Sequence, residues 1–194
     1  MFSPNFGRHE PNANIAFPPG FPAGWAPSGQ QGFGALSAGR GDEPSSAPQP
    51  APAGAGNSLI HVVPVAVAVP SAADVAAMLP SSLVEVATGN AFYLELWVQD
   101  EAAPGITGGL VDLRFPTQQV DCGPLNHGQV FKELARGTVE DAAGLIDDFG
   151  GGTLSDRVGV QPSWARLGYT RVVVTNPGRM EFRLEPGEMP FSRF

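Results

Sequence analysis

The chain has 194 residues and a formal net charge of −8 at pH 7, because 19 Asp and Glu outnumber 11 Lys and Arg. Proteins that bind phosphate backbones cluster Lys and Arg on one face, and this sequence has no such cluster. We therefore expect no nucleic-acid partner. The single cysteine, Cys122, excludes an intramolecular disulfide and a zinc site built from several thiolates. We expect Cys122 to be a small buried residue instead of a nucleophile.

The sequence shows neither a targeting segment nor a membrane span. Its first residues, MFSPNFGRHEPNANIAF, lack the basic region and the apolar stretch of a secretory signal peptide. The longest apolar run, residues 62–69, is interrupted by Pro64 and is too short to cross a bilayer. We therefore predict no membrane span.

Residues 1–57 differ in composition from the rest of the chain. They contain 10 Pro and 10 Gly but only two basic and three acidic residues. Such a segment cannot bury enough apolar surface to offset about 1–2 kcal/mol of backbone entropy for each ordered residue. We therefore predict a disordered Pro/Gly-rich arm over residues 1–57 and one folded domain over residues 58–194.

Three short segments follow the arm. Residues 59–69 are rich in β-branched side chains, but Pro64 removes a backbone donor, which predicts an edge strand or a strand that crosses between sheets. Residues 71–79 are rich in Ala, begin with Ser and precede a proline, which predicts a short helix. Residues 83–87 alternate and lead into a turn, which predicts another strand.

Residues 90–115 show the clearest pattern in the chain. Over residues 92–99, apolar side chains alternate with mixed ones at a period of two, as on an extended ribbon with one buried face. Residues 111–115 repeat this alternation, and the Pro and Gly residues between the two halves supply the backbone angles of a reversal. The sequence predicts two strands joined by a turn. The alternating apolar positions are Phe92, Leu94, Leu96, Val98, Val111, Leu113 and Phe115.

The middle of the domain is less regular. Residues 120–128 are expected to form a loop, and residues 129–135 are short enough to be a strand or one helical turn. Residues 138–149 fit a capped helix, but Gly144 weakens it, so two short strands flanking Gly144 are the favoured interpretation. The glycine run at residues 150–152 is expected to end that segment.

The last part of the domain alternates again. Residues 165–174 and residues 182–185 lie on either side of an Asn-Pro-Gly turn, which predicts a hairpin. The sequence thus predicts six strands at the spacing expected of an all-β fold, an antiparallel β-sandwich.

The segments AFYLELWVQD, GITGGLVDLRF and WARLGYTRVVVTNPGRMEFRLEP resemble the cohesin-like β-sandwich of bacterial cell-surface proteins and cellulosome scaffolding subunits. The resemblance covers residues 83–186. It implies a jelly-roll sandwich and an extracellular or cell-surface location. It also implies a non-catalytic protein-binding or surface-assembly role, with a protein partner such as a dockerin-type module.

Two features depart from this family. The arm has no counterpart, and the chain ends soon after the strand at Phe182, where a family member contributes at least one more strand. We therefore expect the domain to lack its last strand. The unpaired ladder would then leave the domain unstable, accept a strand from a neighbour, or be filled by the segment near Val65.

One candidate binding site lies on the strand within residues 90–115. Tyr93 and Trp97 share one face about 13 Å apart, and Glu95 and Gln99 flank them on the same face. If exposed, the four side chains would form a platform on which sugar rings stack. The alternative is that both aromatics pack beneath a loop or another strand. A glycan-binding module that contacts polysaccharide through Tyr93, Trp97, Glu95 and Gln99 is therefore the second functional hypothesis.

Acidic residues provide two further candidates. The acids at residues 100–101 and 147–148, with Asp156, could supply oxygen ligands to calcium, although solvated loop acids are the simpler interpretation. Glu95 or Glu181 with Asp112 could form the carboxylate pair of a glycosidase, but any acidic β-protein offers such pairs by chance.

Recognisable motifs of catalysis and metal binding are missing from the sequence. It contains no GxSxG elbow, phosphate-binding loop or HExxH pair. The three histidines, His9, His61 and His127, share no helical or strand spacing typical of a metal site. We predict a protein that is not an enzyme and has no cofactor or metal.

Overall fold

The computed structural model of the chain describes residues 12–16, 60–101, 105–154 and 157–188, and for residues 12–16 it describes the backbone alone. These residues are mostly antiparallel strands with almost no helix, arranged in curled sheets. The all-β prediction is therefore confirmed. The strands are β1 (Asn12–Ala16), β2 (Ile60–Val67), β3 (Val75–Ala76), β4 (Glu85–Ala87), β5 (Ala91–Asp100), β6 (Gly108–Arg114), β7 (Val120–His127), β8 (Arg136–Glu140), β9 (Leu145–Gly152), β10 (Trp164–Val174), β11 (Arg179–Glu181) and β12 (Arg183–Pro186).

The described strands form three sheets. The first has the order β2-β5-β10-β3, and β7 pairs with β10 beyond the end of β3. The second has the order β12-β6-β9-β8, and a small third sheet has the order β11-β1-β4. Strand pairings are antiparallel except the parallel pairing of β1 with β11.

One hydrophobic core joins the first two sheets. Leu94 of β5, Leu113 of β6 and Phe182, which lies between β11 and β12, are all buried in it. Phe92 packs edge-on against Phe182 with ring centroids 6.1 Å apart. The alternation along β5 and β6 therefore has the physical cause that the sequence indicated, which is burial of the apolar face of each strand in this core.

A β-bulge in β10 reverses the alternation of that strand. Its register with β5 shifts between Arg166 and Gly168. Ala165 before the shift and Val172 after it are both fully buried in the core, although odd and even positions of an uninterrupted strand face opposite sides. As a result Arg166 and Tyr169 lie on the same outer face of the first sheet.

The glycine run that was expected to end a segment continues β9, so that expectation is wrong. A Cβ atom at Gly150 would lie 2.1 Å from the carbonyl oxygen of Gly109, and one at Gly151 would lie 2.1 Å from that of Phe131. The glycines let neighbouring backbones approach β9 closely, and no other residue fits there.

Two local predictions are wrong and two are confirmed. Residues 71–79 form turns and the short strand β3 instead of a helix, because their polar groups bond to other elements. Residues 120–128 are mostly the strand β7, ordered by its pairing with β10. Two strands, β8 and β9, flank Gly144 as favoured, and Gln129–Phe131 is a 3-10 turn.

The predicted hairpin does not form, because its two strands pair with different strands. Residues 165–174 belong to β10 in the first sheet, whereas β12 pairs with β6 in the second, so the chain crosses between sheets. The two strands predicted within residues 90–115 exist as β5 and β6, but they also lie in different sheets. β2 pairs with β5 alone among the described strands, as expected of an edge strand.

Within the arm the structure describes one strand. Asn12–Ala16 forms β1 between β4 and β11, so the prediction of disorder over all of residues 1–57 is wrong for these five residues, because they pair with two strands of the domain. The rest of the arm lies outside the described residues. No helix in the described part of the chain is long and apolar enough to cross a membrane.

Candidate functional site

The four residues of the predicted sugar-binding platform share the outer face of β5, but the structure buries most of that face. Glu95, Trp97 and Gln99 are 0%, 1% and 7% exposed, and only Tyr93 is half-buried. The prediction of an exposed platform is therefore wrong. The alternative, that the aromatics pack beneath another segment, is confirmed.

Residues 68–84, here called the cover segment, fold over this face. Trp97 packs with Val65 and Val67, and Ala76 and Leu79 of the cover segment pack against the same cluster. Tyr93 contacts Tyr169 edge-on, with ring centroids 5.9 Å apart. The indole that was expected to stack on sugars is instead the centre of a second, smaller hydrophobic cluster.

Glu95 lies beneath the cover segment, and its carboxylate accepts several hydrogen bonds. Its carboxylate accepts bonds from the Ser71 backbone N–H at 2.6 Å, the Ser71 hydroxyl at 2.8 Å and the Trp97 indole N–H at 3.0 Å. It also forms an ion pair with Arg166, whose side chain is 7% exposed. A buried carboxylate is tolerated when donors and a positive charge satisfy it in this way.

Arg166 extends the ion pair to the cover segment. Its Nε donates to Asp74 Oδ1 at 2.7 Å, and the other carboxylate oxygen of Asp74 accepts a bond from the Gln129 backbone N–H at 2.7 Å. The guanidinium carbon of Arg166 lies 5.0 Å from the ring centroid of Tyr169 and 5.7 Å from that of Trp97. We call Glu95, Arg166 and Asp74 the buried ion cluster, and it ties the cover segment to β5 and β10.

The outer surface of the cover segment is uncharged and mostly apolar. Its single charged residue, Asp74, is turned inward to Arg166. Four of the six large hydrophobic side chains exposed in the described residues belong to it, with Val69 73% and Met78 81% exposed. The exposed positions of the cover segment are Ala68, Val69, Ala72, Ala73, Val75, Ala77, Met78, Ser81, Ser82 and Val84.

The carboxylates considered for glycoside hydrolysis are each engaged in other contacts. Glu95 is enclosed on the outer face of the first sheet, whereas Asp112 lies in the second sheet between the core residues Val111 and Leu113. Asp112 accepts a bond from the Asp148 backbone N–H at 2.9 Å. Glu181 is paired with Arg183 at 2.9 Å. Glu95 therefore cannot serve as one half of a pair that flanks a substrate.

The acids considered for calcium are also engaged elsewhere. Glu101 bonds His61 at 2.7 Å, and Asp148 Oδ1 accepts a bond from the Glu188 backbone N–H at 2.8 Å. Asp100 is fully buried, and Asp156 lies outside the described residues. Among the residues that the structure describes, no group of three or more His, Cys, Asp or Glu side chains converges on a metal position.

Sequence patterns missed Asp74 and Arg166. A signal was present, because Asp74 is the sole charge in an Ala-rich run and Arg166 stands between the apolar residues Ala165 and Leu167. A lone charge within an apolar segment predicts an internal partner of opposite sign. The sequence could not tell which charges pair, since 92 positions separate these two residues.

Comparison of the chain with models of protein families, with characterised proteins and with solved structures finds no match.

Proposed function

We propose that this chain is a non-catalytic protein-binding or surface-assembly module, with the cover segment as its contact surface. The observation that carries the proposal is the exposed, uncharged and mostly apolar outer face of that segment. The chain has a net charge of −8, yet none of that charge lies on the outer face of this segment.

The composition of this face favours a protein partner. The buried centres of protein interfaces are depleted of charged residues and enriched in Met, and this face has no charge and presents Met78. Contiguous apolar surface on a folded domain typically marks an interaction site. Met78 in particular is flexible and polarisable, and it adapts to an apolar partner surface.

The buried ion cluster supports the same proposal because it holds the cover segment in place before a partner binds. Binding is weakened by about 0.5–1.5 kcal/mol for each side chain that is ordered only on association. The cover segment is already held by Glu95, Arg166 and Asp74, so its backbone loses little freedom when a partner docks. A surface presented in this way is pre-organised for binding.

The fold proposed for the module is a β-sandwich of the cohesin-like type. Two mainly antiparallel sheets that share one core support the sandwich, and the segments quoted above support the resemblance. A dockerin-type module as partner, and an extracellular or cell-surface location, follow from that resemblance as parts of the proposal. The proposed contact lies on the segment that covers a sheet face, and not on the sheet face itself.

The test places a charge in the centre of the proposed surface. Three full-length proteins are used to capture partners from the envelope fraction of the cells that encode the chain: wild type, Met78→Asp and Leu154→Asp. Leu154→Asp is the matched control, because it alters an apolar side chain that is 77% exposed and lies outside the cover segment. A purified dockerin-type module serves as a direct probe. Circular dichroism checks that all three proteins fold alike.

The expected partner is retained by wild type and by Leu154→Asp but not by Met78→Asp. In titration calorimetry its affinity falls about tenfold or more in Met78→Asp. Equal retention of every captured protein by wild type and Met78→Asp would contradict the proposal.

A further inference from the structure

The strand β1 occupies a gap between two strands of the domain, here called the acceptor slot. It pairs in an antiparallel manner with β4, with Asn12, Ala13 and Asn14 opposite Ala87, Val86 and Glu85. On its other side it pairs in a parallel manner with β11. Strands β4 and β11 therefore meet through β1, and each presents backbone donors and acceptors to it.

The acceptor slot is matched to a strand in which apolar and polar residues alternate. Val86 and Met180, which are 8% and 0% exposed, belong to the main core. The register places Ala13 opposite Val86 and Ile15 opposite Met180. The apolar positions of the sequence NANIA thus match the buried positions of the acceptor slot, and a shift by one residue in either direction would place an Asn opposite Val86.

The connection between β1 and the domain leaves open which chain supplies the strand. Residues 17–59, which number 43, separate β1 from β2. At up to about 3.3–3.6 Å for each residue, a connection of that length can reach well beyond one domain. Backbone pairing is the same whether β1 belongs to the same chain or to a neighbouring one, so identical contacts form in both arrangements.

We propose that the acceptor slot takes the segment Asn12–Ala16 of a second copy of this chain, so that copies assemble by exchange of β1. The effective concentration of the strand of the same chain is limited, because it falls as the connection lengthens. Exchange is therefore favoured when copies are concentrated or held side by side. The assembly uses neither the cover segment nor its partner, so it stands independently of the function proposed above.

Disulfide trapping distinguishes the two arrangements. One full-length variant carries Asn14→Cys and another carries Glu85→Cys, at positions that lie opposite each other in the register. Cys122 stays in place because it is buried. The two variants are unfolded together, refolded at high concentration and oxidised, and only strand exchange brings the two new thiols together.

The expected product is a disulfide-linked heterodimer, formed at least about tenfold more efficiently than with the control mixture of Asn14→Cys and Lys132→Cys. Lys132 is exposed, so the control measures random collision. Equal yields from both mixtures would overturn the proposal, as would absence of the Asn14–Glu85 product.

Shortening the connection provides a second test. β1 runs along β4 towards Leu83, whose backbone N–H bonds the carbonyl of Ala66 in β2, and Ile60 lies six residues from Ala66, which corresponds to about 20 Å. Deletion of residues 18–58 leaves two residues between β1 and β2, which span at most about 11 Å. In this variant β1 cannot reach the slot of its own chain. Light scattering is expected to show dimers or larger assemblies, and a monomer at every concentration would overturn the proposal.

Discussion

Glu95 and Arg166 form an ion pair in which neither side chain reaches solvent, with exposed fractions of 0% and 7%. Removing two charged groups from water is costly unless other hydrogen bonds satisfy the atoms that the ion pair leaves without a partner. Here Ser71 and Trp97 donate hydrogen bonds to Glu95, and Arg166 donates a hydrogen bond to Asp74. The pair therefore fixes the cover segment in one position on the first sheet.

Removing the charge of Glu95 should destabilise the fold. In Glu95→Gln an amide replaces the carboxylate oxygen that Arg166 requires, which leaves a buried guanidinium with Asp74 as its remaining counter-ion. We expect a loss of about 3 kcal/mol in the free energy of unfolding, measured by urea denaturation. The control is Glu185→Gln, which breaks an ion pair with Arg114 whose members are both 46% exposed, and it should cost less than about 1 kcal/mol. Similar losses in both variants would contradict the role of the buried ion cluster.

Truncating Asp74 should release the cover segment locally. In Asp74→Ala the Gln129 backbone N–H loses the acceptor that it bonds at 2.7 Å. Hydrogen exchange at Gln129 and across residues 71–79 should accelerate by about tenfold or more, while exchange in β6 and β9 stays unchanged. Uniform acceleration over the whole domain would indicate global destabilisation and not release of this segment.

Glycine is required in β9 because of close backbone contact. Gly151→Ala would bring a Cβ atom within 2.1 Å of the Phe131 carbonyl oxygen, and we expect a loss of about 3 kcal/mol or more. Gly89→Ala is the matched control, since Gly89 has φ +87° but no atom within 4 Å of its Cβ position, and backbone strain alone should cost about 1–2 kcal/mol. Thermal unfolding of the two variants checks this order, and a larger loss in Gly89→Ala would contradict it.

His127 should make the stability of the fold sensitive to pH. Burial lowers the pKa of His127 below its usual value of 6.5, and a hydrogen bond with the Gly150 backbone opposes that shift only in part. The unfolded chain therefore binds the proton more readily, so the stabilisation is complete above pH 6.5 and is lost as the pH falls through the lowered pKa.

The variant His127→Phe keeps a ring against Phe149, which His127 meets edge-on at 5.8 Å, but it cannot titrate. Between about pH 8 and about pH 5, wild type should lose more unfolding free energy than His127→Phe. An identical pH dependence in urea denaturation of the two proteins would refute this assignment.

Cys122 should be unreactive in the folded chain. Burial, followed by the nearby charges of Asp141 and Asp121, raises the pKa of the Cys122 thiol to about 12. At neutral pH a disulfide reagent should modify it at least about two orders of magnitude more slowly in the folded than in the unfolded protein. Lys132→Cys adds an exposed thiol that should react at once, and rapid reaction of two thiols in that folded variant would contradict the prediction.

Local patterns in the sequence were sufficient for the strands themselves. Alternation at Phe92, Leu94 and Leu96 predicted β5, and Gly144 together with the acids at residues 147–148 favoured two strands over a helix. These predictions hold because a strand with one buried face repeats every two residues whatever its partner is. Burial of Cys122 was equally predictable, since a lone thiol behaves as a small apolar side chain.

The sequence by itself determined that this protein is built from strands with one apolar face. Only the tertiary structure decided which strands pair, that Asn12–Ala16 joins the domain, and that Trp97 lies beneath the cover segment. The outer face of β5 illustrates the physical reason: Tyr93, Glu95, Trp97 and Gln99 have the same spacing whether water or another segment lies over them. What covers them depends on Asp74 and Arg166, whose attraction acts across 92 positions of sequence and leaves no local pattern.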